Sequence, residues 1–400
     1  MSMRVVHLTH YADLYGAGRS LLTLIDGERA AHGVEPFVIM ARGGALQQEL
    51  DARGIAHAVI PFPLWMHRRH YEGGPHHRLK QWFGHARDTR RRMREARRAT
   101  AAIVAQCRQW SVDLVHVNSA VIGLGGAVAK ALDLPWVWHV RELVEGHYRF
   151  HVDGGRRGFG RELARADAVI VVSKAVSADV QAHAHGRARV QLVYNGVLDR
   201  AAFDGLAAHT ADRWADKGTF RFVLVGLIHP DKGQERAVKA FAEVHRHHPH
   251  ARLLLAGDGR VAELERVMAQ SGVGAAVERT AFVRDPLALF LRSHVALSLA
   301  HHEAFGRTTA EAMATGIPVI GLNDGATPEL ITDGVTGRLI DGTHTALVSA
   351  MEDLLGDPER TAGMGLAARE QAGGRWLAER MVEEVVAVFR SVTRSRTHAR

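Results

Sequence analysis

Two carboxylates, Glu303 and Glu311, frame the string Glu303-Ala-Phe-Gly-Arg-Thr-Thr-Ala-Glu311, which continues through Ala-Met-Ala-Thr to Gly316, Ile317 and Pro318. The apolar run Val295–Leu299 before it reads as a strand. The residues after Gly306 read as a helix that begins near Arg307 or Thr308 and is ended by Gly316 and Pro318. Gly306 and the amides that follow it then stand at a helix N-terminus, beyond the C-terminal end of a parallel strand. Exposed N–H groups at such a terminus accept phosphate, and open α/β sheets bind ligands at that end of their strands. An acid beside an anion-binding terminus is unfavourable unless it has other work, and accepting hydrogen bonds from sugar hydroxyls is such work. On a bland reading Glu311 is a solvated helix residue and Glu303 a loop charge; the flanking glycines weigh against it.

The elements that must position these residues follow from the alternation of short apolar, β-branched runs with longer helical periodicities, which signals parallel sheets flanked by helices. Strands are expected at Arg4–Leu8, Pro36–Met40, His57–Ile60, Leu114–Val117, Trp136–Val140, Ala168–Val172 and Gln191–Val193. A second set is expected at Arg221–Val225, Arg252–Ala256, Val277–Phe282, Val295–Leu299, Pro318–Gly321 and Gly337–Ile340. The fold class is therefore α/β with two doubly wound, Rossmann-like domains. The join is expected in Asp199–Gly218, giving domains at 1–200 and 201–374. From Arg375 the chain reads as one amphipathic helix (Trp376, Leu377, Met381, Val385, Val386, Phe389) running into a basic tail, Arg390–Arg400. With no strand left to pair, residues 375–400 must pack on an existing surface, and the first domain is the expected one.

The Glu303 string resembles the E-x7-E signature of glycosyltransferase family four, the retaining nucleotide-sugar glycosyltransferases of the GT-B fold. The resemblance runs through the second half. Val225-Gly226-Leu-Ile-His-Pro-Asp-Lys232-Gly233-Gln234 is similar to the family's G-R-L-x-x-x-K-G loop, and Leu254-Leu-Ala-Gly257-Asp258-Gly259 to its L-x-G-x-G segment. Asn323-Asp-Gly325-Ala-Thr-Pro328-Glu329 and Thr332-Asp-Gly334-Val-Thr-Gly337 are similar to its G-G-x-P-E and D-G-x-x-G elements. Thinner matches stand in order in the first half: Gly16-Ala-Gly18 opening a helix, Trp138-His139-Val-Arg-Glu142 closing a strand, Val172-Ser173-Lys174, and Asn195-Gly196-Val197.

The resemblance implies a GT-B enzyme whose domains face a cleft, with a C-terminal helix crossing back to the first domain. It implies a donor held mainly by the second domain and an acceptor by the first. Glu303 resembles the acid that orients the donor sugar, Glu311 the one that hydrogen-bonds the ribose, and Lys232 the cation that holds the diphosphate. Gly226 and Gly306, with Arg307 and Thr308 at the helix start, fall in the donor-binding loops. Gly16 would let the chain pass close to the phosphate, where a Cβ would collide, and His139 resembles the histidine that contacts the transferring sugar. One position departs: where the family carries Arg, this chain has Leu227, so the Arg–Lys clamp lacks its rigid half, and Arg307 or Arg19 is left to supply the charge. The expected activity is retaining hexosyl transfer from a nucleotide diphosphate-sugar, UDP ahead of GDP, to a hydroxyl in polysaccharide, glycolipid or related glycoconjugate synthesis. The alternatives are a non-catalytic nucleotide-sugar-binding protein on the same scaffold and a UDP-sugar epimerase of similar fold. Nor does the sequence call for a metal ion: no two Asp stand at i and i+2, and the histidines at 245–250 lack carboxylate support.

Composition sets the remaining bounds. A chain of 400 residues that is 46% hydrophobic and 24% charged can bury large cores. Its formal charge of +8 is carried by one half: residues 1–200 hold 28 Lys and Arg against 18 Asp and Glu, and residues 201–400 hold 23 against 25. His67–Arg108 alone holds 12 basic residues against 3 acidic, with Leu64, Trp65, Trp82 and Phe83 nearby. A long helix is expected here over Leu79–Cys107, and such a helix suits an anionic membrane face or a lipid-linked, anionic acceptor; a solvated exterior helix is the plainer reading. It lacks the aromatic interleaving and module of a nucleic-acid binder, so no nucleic-acid partner is expected. Gly16-Ala-Gly18 lies too far from the Arg4–Leu8 strand, and lacks the third glycine, for a dinucleotide fingerprint. The single Cys107 excludes an intramolecular disulfide, and Arg4, His7, His10 and Asp13 interrupt the apolar core that a signal peptide needs. A cytoplasmic protein, peripheral on the inner membrane face at most, is expected.

Overall fold

The computed structural model describes residues 2–67, 75–144, 151–210, 212–214 and 218–398. Part of the basic stretch, residues 68–74, lies outside them, as do 211 and 215–217 of the expected join. The chain divides into two compact units, Met1–Tyr194 with Met381–Arg400, and Asn195–Arg380. The division falls just before Asp199–Gly218, whose described residues form the helix Arg200–Gly205 and two short 3₁₀ turns within the second unit.

In the first unit seven parallel strands run in the order His57–Val59, Val34–Met40, Met3–Thr9, Leu114–Val117, Trp136–Val140, Ala168–Val171, Val190–Leu192. In the second, six parallel strands run Val277–Thr280, Ala251–Ala256, Phe220–Val225, Val295–Ser298, Val319–Leu322, Gly337–Ile340. All thirteen expected strands are present. The continuous apolar runs of the central strands are what a parallel sheet covered on both faces requires, because neither face meets water there. In each sheet the chain starts in the middle, winds to one edge, and returns to wind to the other. The switch point lies between Met3–Thr9 and Leu114–Val117 in one, and between Phe220–Val225 and Val295–Ser298 in the other. A doubly wound sheet binds ligands beyond the strand ends at that point.

The one helix expected from Arg375 is present and starts three residues later, at Ala378. Pro358–Arg375 ends, Trp376 and Leu377 interrupt, and Ala378–His398 follows, continuing through the basic tail. The interruption is held by Val197 N–H donating to Trp376 O at 2.9 Å and Ala378 N–H to Leu198 O at 2.8 Å, backbone pairing that a continuous helix would forbid. From Met381 on, the last helix belongs to the first unit, where Met381, Val382, Val385, Val386 and Phe389 pack with Val5, Leu24, Leu114, Val137 and Ile170. Each of these five helix residues is 0–2% exposed, and burying such a side chain is worth roughly 1.5–3 kcal/mol.

The basic segment forms Pro75–Trp110, longer at both ends than the expected Leu79–Cys107. Ala99, Ile103 and Cys107 are buried, whereas Trp82, Phe83 and Met93 are each at least half exposed. Arg87, Arg90, Arg91, Arg94, Arg97 and Arg98 are exposed. Arg92 turns inward, its Nε 2.8 Å from Asp153 Oδ2, with Thr89 donating to Asp153 Oδ1 at 2.9 Å. Trp65 does not join this surface: its Nε1 donates to Ala120 O at 2.8 Å and its ring packs on Trp138 and Phe159. No helix among the described residues is long and apolar enough to cross a membrane.

Candidate functional site

The two strands that flank the switch point of the second sheet carry the two loops that matter. After Phe220–Val225 come Gly226, the exposed Leu227, and the 3₁₀ turn Pro230–Lys232. Gly233, at φ +82°, then starts the helix Gln234–His247. A Cβ on Gly233 would lie 2.6 Å from Leu299 Cβ and 2.8 Å from Leu299 O, so only glycine lets this loop tuck beneath the end of the neighbouring strand. After Val295–Ser298 the chain passes through His301 and His302 to Glu303, and Gly306, at φ +91°, opens the helix Arg307–Ala314.

The close approach brings Lys232 Nζ to 2.9 Å from Glu303 Oε2. The side chains keep 28% and 24% of their surface exposed. An ion pair this wet contributes at most about 1 kcal/mol, so it scarcely stabilises the fold, and a charged ligand can separate its partners at small cost.

Glu303 is held from behind by the Asn323–Glu329 motif. Ala326 N–H donates to Glu303 O at 2.8 Å. Gly325 passes so close that a Cβ there would stand 2.6 Å from the same oxygen. Asp324 accepts from His302 N–H at 2.9 Å and lies 3.1 Å from His301 Nδ1. Burial raises the Asp324 pKa, but these hydrogen bonds and the His302 charge outweigh it and hold the carboxyl below its ordinary value.

Glu311 and Arg307 have a different setting. The Glu311 side chain is fully buried and that of Arg307 only 10% exposed, with Nε to Oε1 at 2.9 Å. The other arms of Arg307 donate to Gly196 O and Val197 O, each at 3.0 Å. Its guanidinium therefore braces the segment after Tyr194 and fixes Glu311, rather than standing as the loose diphosphate cation expected of it. Thr308 is half-buried, and its neighbour Thr309 donates to Ser298 Oγ at 2.8 Å, tying the helix start to the strand end.

The motif glycines divide by what surrounds them. A Cβ on Gly18 would strike Asp13 O, and one on Gly196 would lie 2.5 Å from Ala378 Cα, so internal packing accounts for both. Around Gly16 and Gly226 nothing lies within 4 Å. Space therefore does not call for glycine at either position, whereas the backbone of Gly226, at φ +159°, is one that side chains rarely adopt.

In the first unit His139 is 1% exposed on the strand Trp136–Val140. Its Nδ1 lies 3.3 Å from His116 Nε2 and from Arg141 Nη2, and its Nε2 has no partner among the described residues. Burial, then Arg141 and the nearby imidazoles, hold its pKa well below the ordinary histidine value. Beyond it, Glu142 accepts from Ser119 Oγ at 2.5 Å and from Ala120 N–H at 2.9 Å. Burial raises the Glu142 pKa in spite of those bonds. Sequence reading missed this polar group and the contacts of His7 and His116. The available signal was a histidine set inside each of three otherwise apolar strands, where a polar group must find a buried partner.

Comparison with known proteins gives the family. The model for glycosyl transferases group 1 matches residues 210–371 and that for glycosyltransferase family 4 matches 15–199. The chain belongs to glycosyltransferase family four. Over 168 residues it is 34% identical to a GDP-mannose-dependent alpha-(1-6)-phosphatidylinositol monomannoside mannosyltransferase of Mycolicibacterium smegmatis, a match covering 38% of this chain and 43% of the relative. It is 26% identical to a glycogen synthase of Mycobacterium tuberculosis, over 66% of this chain and 65% of that one. A D-inositol 3-phosphate glycosyltransferase of Segniliparus rotundus is 28% identical, over 74% and 70%. The chain thus spans less than half of the first relative and about two thirds of the others.

Solved GT-B structures share the fold of this family-four chain. Anabaena Alr3699/HepE in complex with UDP gives a TM-score of 0.77 at 20% identity, over 97% of this chain and 100% of that one. WaaG, a glycosyltransferase involved in lipopolysaccharide biosynthesis, gives 0.68 at 16% identity, over 96% and 99%.

Proposed function

We propose that this family-four protein transfers a hexose from a nucleotide diphosphate-sugar to an acceptor hydroxyl with retention of anomeric configuration. The observation that carries the reading is the solvent-accessible Lys232–Glu303 pair beside the Gly306 helix terminus, at the switch point of the second sheet. In the ligand-free protein the two charges satisfy each other. A diphosphate arriving at the terminus competes for the ammonium, whose long flexible stem lets it follow negative charge as it grows on the leaving group. Glu303 is then released to accept hydrogen bonds from the sugar, and Glu311 is the proposed ribose contact, which requires its buried setting beside Arg307 to open to the ligand.

With no carboxylate assigned as nucleophile, a front-face displacement fits. The bond from the anomeric carbon to the diphosphate oxygen breaks with its electron pair on the phosphate. The acceptor oxygen bonds to the same face of that carbon, and its proton passes to the leaving phosphate. Lys232 and the helix-terminal amides neutralise the departing charge, and no metal ion is required. His139 is the proposed contact to the sugar and Gly16 to the phosphate.

A UDP-sugar is the preferred donor: the Anabaena protein binds UDP, and UDP-glucose in a further structure. The Mycolicibacterium relative uses GDP-mannose, so the two bases must be compared directly. The exposed arginines of Pro75–Trp110, with Trp82 and Phe83, suit an anionic or lipid-linked acceptor, or an anionic membrane face. Vesicles with and without phosphatidylglycerol check this; equal retention on both would remove it.

A second reading, a nucleotide-sugar-binding protein without catalysis, rests on Leu227, which leaves the diphosphate one cation short. Thermal shift with UDP-, GDP- and ADP-sugars, followed by product analysis with added EDTA, separates the two. Stabilisation without transfer or hydrolysis favours the second; transfer that survives EDTA and is lost in Lys232→Ala and Glu303→Ala supports the first.

A further inference from the structure

Three histidines stand in single file across three neighbouring strands of the first sheet. His7 Nδ1 is 2.8 Å from His116 Nδ1, and His116 Nε2 is 3.3 Å from His139 Nδ1. Behind His7, its Nε2 is 2.8 Å from Oε1 of Glu28, on the helix Gly16–Ala31, within ion-pair distance but outside hydrogen-bond geometry, so a small ring rotation must align the two. All four side chains are at most 1% exposed. The ring of Phe389, from the C-terminal helix, packs on those of His7 and His116. At the far end His139 Nε2 is buried without a partner among the described residues. The proposed transfer reaction uses only that last ring, and leaves a buried carboxylate and two buried imidazoles unexplained.

A neutral imidazole has one N–H and one bare nitrogen. In a file of such rings each link needs one donor and one acceptor, so the sense of the first link dictates every other. Burial, with the neighbouring Arg141 and imidazoles, holds His116 and His139 well below the ordinary histidine value, which keeps both rings neutral. Suppose His7 donates Nε2–H to the Glu28 carboxylate and is otherwise bare. His116 must then donate from Nδ1 to His7, His139 must donate from Nδ1 to His116, and His139 Nε2 is left as an acceptor. Now add one proton to the His7–Glu28 pair, on either partner. His7 presents an N–H at Nδ1, His116 accepts it and donates from Nε2, and His139 accepts at Nδ1 and carries its own proton on Nε2. The file reverses, with one proton gained at the pair and none by the other two rings.

Two charged groups bias the file in opposite directions. The Glu28 carboxylate draws the N–H groups toward itself. Arg141 Nη2, 3.3 Å from His139 Nδ1, donates to that nitrogen and favours the reversed sense. The two contacts at the Glu28 end are the shorter ones, 2.8 Å against 3.3 Å, so in the ionised file the carboxylate prevails.

We propose that one proton on the buried His7–Glu28 pair sets whether the free nitrogen of His139 accepts or donates a hydrogen bond, which makes Glu28, His7 and His116 positioning residues for His139. For the sugar contact proposed above, on which only this consequence rests, the accepting sense admits a ligand hydroxyl and rejects phosphate or carbonyl oxygens. The donating sense admits all three.

The test is nitrogen NMR of the ring atoms in the full-length, ligand-free protein labelled with ¹⁵N-histidine, from about pH 5 to about pH 9, spanning the ordinary histidine range. In the wild type the proton of His139 should sit on Nδ1 at the alkaline end and move to Nε2 as the pH falls, in step with His116. In Glu28→Leu nothing accepts from His7 Nε2, so Arg141 prevails and His139 should carry its proton on Nε2 at every pH. Wild-type rings that change independently, or not at all, overturn the proposal, as does a His139 tautomer that is the same in Glu28→Leu and wild type throughout. The wild-type series decides the matter even if Glu28→Leu does not fold. Because no donor is present, failure here is distinct from failure of the transfer reading.

Discussion

Two ion pairs of the second unit, whose carboxylates Glu303 and Glu311 stand eight residues apart in sequence, differ in kind. Lys232 and Glu303 meet at 2.9 Å with about a quarter of each side chain in solvent. Arg307 and Glu311 meet at the same 2.9 Å with Glu311 wholly buried and every arm of the arginine engaged. Distance alone would rank them together, whereas exposure and the remaining hydrogen bonds separate a pair available to a ligand from a pair committed to the fold. The helix Arg307–Ala314 owes its orientation to the second pair, and it presents its N-terminus next to the first.

Breaking the committed pair should produce the largest effect. Arg307→Met leaves the Glu311 carboxylate buried without its arginine and frees the carbonyls of Gly196 and Val197, a loss of about 3–5 kcal/mol in stability, measurable by denaturant unfolding. Adding Glu311→Gln to Arg307→Met should recover part of that loss; a single mutant as stable as wild type would show that the pair does not hold the fold. Breaking the available pair should do the opposite. Lys232→Ala and Glu303→Ala should shift the unfolding free energy by no more than about 1 kcal/mol, yet each should lower the turnover of sugar transfer by about 10²–10³-fold, the scale for removing a preorganised charge partner. If these mutants lose stability rather than turnover, the contrast between the pairs is wrong.

Much of this was legible in the sequence, and its limits are physical. The central strands were readable because both faces of a parallel sheet are buried there, so each is a run of apolar residues bounded by polar ones, whereas the edge strands Val277–Thr280 and Val190–Leu192 are more exposed and carry polar residues. Gly306 opening the helix at Arg307 followed from a glycine placed before helical periodicity. What periodicity cannot show is which way a long polar side chain turns at close quarters. Arg307 looked like a phosphate ligand because it follows Gly306, but its guanidinium reaches carbonyls about 110 residues earlier in the chain. Trp65 looked like part of an apolar surface because of its neighbours in sequence, and it is held by Ala120 instead. The break at Trp376 had the same cause: a long-range strand-like pairing overrode local helical preference.

The glycines extend the comparison at smaller amplitude. Gly18→Ala forces a Cβ against the backbone carbonyl of Asp13, which cannot swing away, so a destabilisation of about 1–3 kcal/mol is expected. Gly16→Ala meets nothing within 4 Å and should leave thermal stability unchanged or raise it, by up to about 1 kcal/mol. If Gly16 exists for the close passage of a phosphate, its alanine variant should nevertheless raise the KM for the donor. Equal donor kinetics in Gly16→Ala and wild type would reduce Gly16 to an ordinary helix start.

The smallest expected effect concerns the position where this chain departs from its family. Leu227 is 46% exposed and follows Gly226, five residues before Lys232. A large apolar side chain displayed on the loop proposed to bind the diphosphate contributes little to the core, so Leu227→Arg should alter stability by no more than about 0.5 kcal/mol. The new guanidinium would complete the two-cation clamp, and a charge-assisted hydrogen bond to a phosphate oxygen is worth roughly 1.5 kcal/mol or more, which is about tenfold in donor affinity. The gain should appear with nucleoside diphosphate alone, because the clamp grips the diphosphate and not the sugar, and it should shrink as salt is raised. If Leu227→Arg leaves diphosphate affinity unchanged at low salt, the missing arginine is not what limits binding, and the cation that completes the site must come from elsewhere in the chain, with Arg19 the next to be replaced.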